Sequence, residues 1–143
     1  MMKTDGPVET TTMDIWSGGC ACGAVQYEAH AAPINPHYCH CLICRRSVGA
    51  PVVAWVNFPV AQFRWRRGMP TYYASSSVMR RGFCERCGSS LCTEEDDGYV
   101  CVTIASLDQA ADVAPEYHIY AQHALEWLRL ADGLPREARD DRA

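Results

Sequence analysis

Apolar and polar positions alternate with a period of two along much of this 143-residue chain. The segments 24–29 (AVQYEA), 51–58 (PVVAWVNF), 70–76 (PTYYASS) and 99–107 (YVCVTIASL) are rich in β-branched and aromatic residues and are bounded by Gly, Pro or Asp. Side chains of an extended chain point to opposite faces in turn, so this spacing predicts short, half-buried strands. Glycines at 18, 19, 23, 68, 82, 88 and 98 mark the turns between them. No 12-residue stretch with a clean 3.6 period precedes residue 106. The expectation is a mainly β fold of short antiparallel strands with little helix.

Helix is expected in two short places. One is Leu107 to Val113, with Asp108 near its start; the other is Ala121 to Ala131, where Ala124, Leu125, Leu128 and Ala131 share a face. A second reading of HIYAQHALEWLRLADGLP stands beside the latter. Tyr117, Ile119 and Ala121 alternate, which predicts a strand followed by a turn that docks Trp127 on the core. Residues 1–13 are polar and Thr-rich and 136–143 (REARDDRA) are almost wholly charged or small, so both read as disordered tails around one domain at 14–135.

Composition narrows the function classes. At 48% apolar and 21% charged, the chain has enough apolar surface for one globular core. It holds no apolar run long enough to span a bilayer and no secretory h-region near Met1, so no membrane partner and a cytoplasmic location are expected. The net charge is −4, and basic residues cluster no further than the pairs Arg45-Arg46, Arg66-Arg67 and Arg80-Arg81. That argues against a nucleic-acid partner and places those pairs on solvated strands.

Nine cysteines in so short a chain are the outlying feature. A disulfide framework and metal ligation both fit such a count. The odd total, and the clustering of five cysteines in CxC and CxCxxC spacings too tight for easy mutual disulfides, favour metal. Three clusters carry the argument: Cys20-Ala-Cys22, Cys39-His-Cys41-Leu-Ile-Cys44 and Cys84-Glu-Arg-Cys87, the first and last followed by Gly. A structural zinc needs four ligands, so the pairs Cys20/Cys22 and Cys84/Cys87 together make a closed tetrahedral site. Cys39, Cys41 and Cys44 then hold a second zinc with three thiolates and an open position, the arrangement of a catalytic site. Cys92 or a histidine remains an alternative source of ligands. Soft thiolate surroundings suit a substrate thiol as the fourth ligand, and zinc strips the proton from a coordinated thiol.

At these residues the chain resembles the glutathione-dependent formaldehyde-activating enzyme family, whose domain also occurs in centromere protein V. The likeness rests on GGCACGAVQY at 18–27, YCHCLICRRSVGAP at 38–51, the strand with Trp55, RGFCERCGSSL at 81–91, ASLD at 105–108, and HIY followed by Trp127 and DGLP at 132–135. The resemblance implies a zinc-stapled β-tent fold. It also implies two zinc ions per chain, a structural one on Cys20, Cys22, Cys84 and Cys87 and a catalytic one on Cys39, Cys41 and Cys44. It further implies a carbon–sulfur lyase-type activity in which glutathione adds to formaldehyde to give S-hydroxymethylglutathione, with a small-molecule thiol as partner.

Other residues carry two readings each. Arg45 and Arg46 either bind a carboxylate of a peptide-like thiol or form an exposed pair. His40, between two ligands, is read as an outer-layer or exposed residue rather than a base, and His37, His118 and His123 as hydrogen-bonded rather than metal-bound. Cys92 and Cys101 are read as small buried hydrophobes, and Trp55 as core packing or a pocket wall. A rival to the enzyme is a protein-binding module in which both zinc ions are structural.

Overall fold

The computed structural model describes residues 15–142. Its strands are β1 (Trp16–Gly19), β2 (Gln26–Ala29), β3 (Ile34–Cys39), β4 (Val53–Pro59), β5 (Phe63–Arg67), β6 (Thr71–Ala74), β7 (Arg80–Phe83), β8 (Ser90–Glu94), β9 (Tyr99–Thr103) and β10 (His118–Ile119). One helix, α1 (Leu42–Val48), follows β3. The strands form a three-stranded sheet, β1-β2-β5, and a seven-stranded sheet, β10-β3-β4-β9-β8-β7-β6. Neighbours pair antiparallel throughout, except that β10 runs parallel to β3. The mainly β expectation holds.

The period of two now has a physical meaning on each face of the large sheet. On β4, Val56 and Phe58 point into the main core, where they join Tyr27, Leu91, Val100 and Val102. Val53 and Trp55 point the other way, into a second cluster with Cys39, Cys44, Tyr117 and Ile119. On β9 the same alternation sends Val100 and Val102 to the core and Tyr99 and Cys101 to the opposite side. Tyr27 locks the small sheet to this core: its ring stacks on Phe63 and meets Trp65 edge-on, and its hydroxyl lies 2.7 Å from Ser106 Oγ. Fully burying aromatic side chains of this kind contributes about 2 kcal/mol or more each.

The helical expectations fail on both segments. Within 107–113 only Ala110–Asp112 make a single tight 3-10 turn, and within 121–131 only Ala121–His123 do. The strand-then-turn reading of the latter region is right in its strand, β10, but Trp127 is 69% exposed and does not dock on the core. Residues 136–142 are also not a loose tail. Glu137 N–H donates to His118 C=O at 2.8 Å, and Ala121 N–H donates to Glu137 C=O at 3.0 Å. Arg142 stacks over the Tyr117 ring at 3.9 Å. A charged composition suggested solvation here, but backbone pairing to the edge strand β10 holds the segment in place. The expectation for residues 1–13 lies outside the described residues.

Candidate functional site

The sulfurs of Cys20, Cys22, Cys84 and Cys87 lie within 4.8 Å of one another, and so do those of Cys39, Cys41 and Cys44. Both clusters could hold a metal ion. The four-sulfur cluster is built by two turns, one between β1 and β2 and one between β7 and β8. Each turn ends on a glycine in the left-handed region, Gly23 at φ 82° and Gly88 at φ 80°. That conformation is costly for residues with a Cβ, and it lets the chain double back with both sulfurs on one side. The Sγ separations of 3.7 Å for Cys20–Cys22 and 3.8 Å for Cys22–Cys84 match the tetrahedron edge, about 3.8 Å, set by metal–sulfur bonds of about 2.3 Å. Val25 N–H donates to Cys20 Sγ at 3.3 Å, and Ser89 Oγ sits 3.1 Å from Cys87 Sγ. The Ser89 contact is the largest of the influences that pull the Cys87 thiol down to about 5.

The three-sulfur cluster is assembled differently. Cys39 ends β3, Cys41 caps α1, and Cys44 lies in the helix's first turn. Cys44 N–H donates to Cys41 Sγ at 3.3 Å. Cys39 and Cys44 are buried and Cys41 is partly so. The neighbouring sulfurs lower Cys41 steeply, Cys39 having the largest effect, and raise Cys39. Among the described residues no carboxylate or imidazole joins this group of three. His37 instead bonds Asn35 C=O through Nδ1 at 2.8 Å, and His118 is engaged by His40 and Asp132.

A cavity of about 650 Å³ opens on the three sulfurs. Its floor is the outward face of the large sheet: His37 and Cys39 from β3, Trp55 and Asn57 from β4, Cys101 from β9, Thr93 from β8 and Arg81 from β7. Trp55 is therefore a pocket wall. Arg45 borders the cavity, whereas Arg46 is exposed and lies outside it, so only the first of the two is placed to meet a ligand there. Tyr120, held at φ 51°, and Asp140 close another side. Burial raises the Tyr120 phenol above its ordinary value, which keeps its proton on Oη across the neutral range.

Two features escape sequence reasoning. His40 is 4% exposed and backs the cysteine turn: its Nε2 lies 2.8 Å from His118 Nδ1, and His118 Nε2 lies 2.9 Å from Asp132 Oδ2. The carboxylate accepts from His118 Nε2–H, so His118 Nδ1 accepts from His40 Nε2–H, and the two tautomers are fixed in series. Arg81, read as solvated, is 6% exposed, while its neighbour Arg80 is the one that reaches out to Glu94 at 2.7 Å. Adjacent residues on a strand face opposite ways, and the pair Arg80-Arg81 carries that signal.

Fold and site together define a mainly β protein with two cysteine clusters, one formed by two turns that bring the two sheets together and one open to a cavity. The chain belongs to the glutathione-dependent formaldehyde-activating enzyme family, whose sequence model matches residues 15–123. A crystal structure of a Rhodobacter sphaeroides protein is similar in fold, with a TM-score of 0.53 and 23% identity over 85% of this chain and 98% of that one. Among the described residues no helix is long and apolar enough to cross a membrane.

Proposed function

We propose that this protein is a cytoplasmic zinc enzyme that makes or breaks a carbon–sulfur bond in a thiol adduct such as S-hydroxymethylglutathione. The observation that carries this reading is the three-sulfur cluster with a free side facing a cavity of about 650 Å³, a size suited to a small-molecule ligand. Family membership supports the thiol partner. Four thiolates at tetrahedral spacing suit a structural zinc on Cys20, Cys22, Cys84 and Cys87. Three suit a catalytic zinc on Cys39, Cys41 and Cys44, whose bound form lowers the pKa of an incoming thiol.

The chain's own groups then divide the remaining work. Trp55, Ile119 and Tyr120 present apolar surface that excludes water from the sulfurs. Arg45, partly buried with its Nε unpartnered, holds a substrate carboxylate at the cavity rim. When the thiolate sulfur bonds to the formaldehyde carbon, negative charge develops on oxygen, and Tyr120 Oη is the wall's protonated donor for it. Cleavage runs the same path backwards: the hydroxyl loses its proton, the carbon–sulfur bond breaks and formaldehyde leaves.

The test is consumption of formaldehyde by reduced, zinc-loaded protein in the presence of glutathione, compared with Cys41→Ser. The account expects acceleration over the uncatalysed addition that Cys41→Ser abolishes. Equal rates with either protein would leave a protein-binding module as the better reading.

A further inference from the structure

Arg81 is a buried cation on the floor of the cavity. The pairings Asn57↔Cys101, Cys101↔Thr93 and Thr93↔Arg81 run straight across β4, β9, β8 and β7, so these four residues form one row on the cavity floor. Arg81 stands at the β7 end of these four and is 6% exposed. Among the described residues no carboxylate lies within 4.0 Å of it. Its one side-chain partner is Cys44, whose Sγ accepts from Nη2 at 3.6 Å, and its Nε–H has no partner. A guanidinium stays charged at any physiological pH, and a charge taken out of water must be compensated by an opposite one. The Cys44 sulfur is the group within reach, and a metal bound to it would make it an anion.

We propose that Arg81 is the counter-ion of the three-cysteine centre, a positioning residue that acts through Cys44 and lets the centre hold a metal together with an anionic fourth ligand. This rests on the reading of Cys39, Cys41 and Cys44 as a metal site. Three thiolates around a divalent ion carry a net charge of −1, and an arriving thiolate makes it −2. A fixed cation on the cavity floor offsets that build-up and favours an ionised thiol over neutral ligands.

The test is a cobalt(II) titration of the full reduced chain with chelator competition, following thiolate-to-metal charge-transfer absorption, on wild type, Arg81→Met, Arg81→Gln and Arg81→Lys. Outer contacts to metal ligands typically set affinity by about 10- to 100-fold. The proposal expects a loss of that size at the second site in both neutral variants, with first-site affinity and far-UV circular dichroism unchanged, and recovery in Arg81→Lys. Binding of 2-mercaptoethanol to the second cobalt, read by the same absorption, should weaken in parallel. Should Arg81→Met fail to fold, Arg81→Gln carries the test. Second-site affinity equal to wild type in the neutral variants would overturn the proposal alone, as would a Lys variant as weak as Met. A wild-type chain that takes up only one cobalt would overturn the underlying metal reading as well.

Discussion

The two cysteine clusters use the same donor atom and differ in what surrounds it. Cys22 and Cys84 lie 62 positions apart in sequence yet 3.8 Å apart in space, and their cluster ties the turn of the small sheet to the large one. Cys39, Cys41 and Cys44 fit within six consecutive residues. Closing a long loop removes much chain entropy and closing a very short one removes little, so a metal in the first cluster stabilises the fold far more than one in the second. The second opens on a cavity of about 650 Å³ that no cysteine of the first lines. On the function proposed above, stability and chemistry divide by sequence separation and by what lies on the free side, not by ligand type.

Breaking the first cluster should have the largest effect. A structural zinc of this kind contributes about 10 kcal/mol or more, comparable with the whole stability of a small domain, so Cys84→Ser should be unfolded at 25 °C by circular dichroism. Cys41→Ser should instead lose the second metal and all thiol turnover while its urea midpoint corresponds to a change under about 2 kcal/mol. If it melted as Cys84→Ser does, the contrast between the clusters would collapse.

Smaller effects sharpen the second cluster. Arg45→Ala should weaken binding of a carboxylate-bearing thiol by about 10-fold, the worth of one charge-assisted hydrogen bond, while Arg46→Ala leaves it unchanged in the same titration. Asp132→Asn removes the charge at the end of the His40–His118 chain and should lower the denaturant midpoint only slightly, since Asp132 itself is exposed. The Leu134 N–H first, and then His118 and Arg136, pull Asp132 down to about 2 from 3.8 for a free side chain. A depressed carboxylate stabilises the fold above its unfolded value and loses that contribution as it protonates. The gap between wild type and Asp132→Asn in denaturant midpoint should therefore be full above about pH 4 and shrink toward pH 2.

Much of this was readable from residue order. Period-two segments located β2, β4, β6 and β9; in β2, β4 and β9 an apolar face is buried, whereas β6 is an edge strand with no buried residue. The clusters were readable because ligand spacing is local chemistry. Helix α1 was not: seven residues, LICRRSV, are too few to display a 3.6 period, and Cys41's sulfur, rather than a Ser or Asp, caps it. The segment 121–131 misled for the opposite reason, since its apolar residues mimic a helical face while the chain there runs as a tight turn followed by irregular structure. The pair Arg80-Arg81 signals that one of the two faces inward but not which, and the His40–His118–Asp132 chain depends on long-range pairing that no local pattern encodes.

The central claim is that the second cluster binds metal with a position left for a thiol. Zinc-edge X-ray absorption on the reduced full chain, with and without millimolar glutathione, tests it most directly. The account predicts two zincs per chain and a gain of one sulfur at one of them when glutathione is added. Two fully ligated zincs whose spectra ignore glutathione would contradict it.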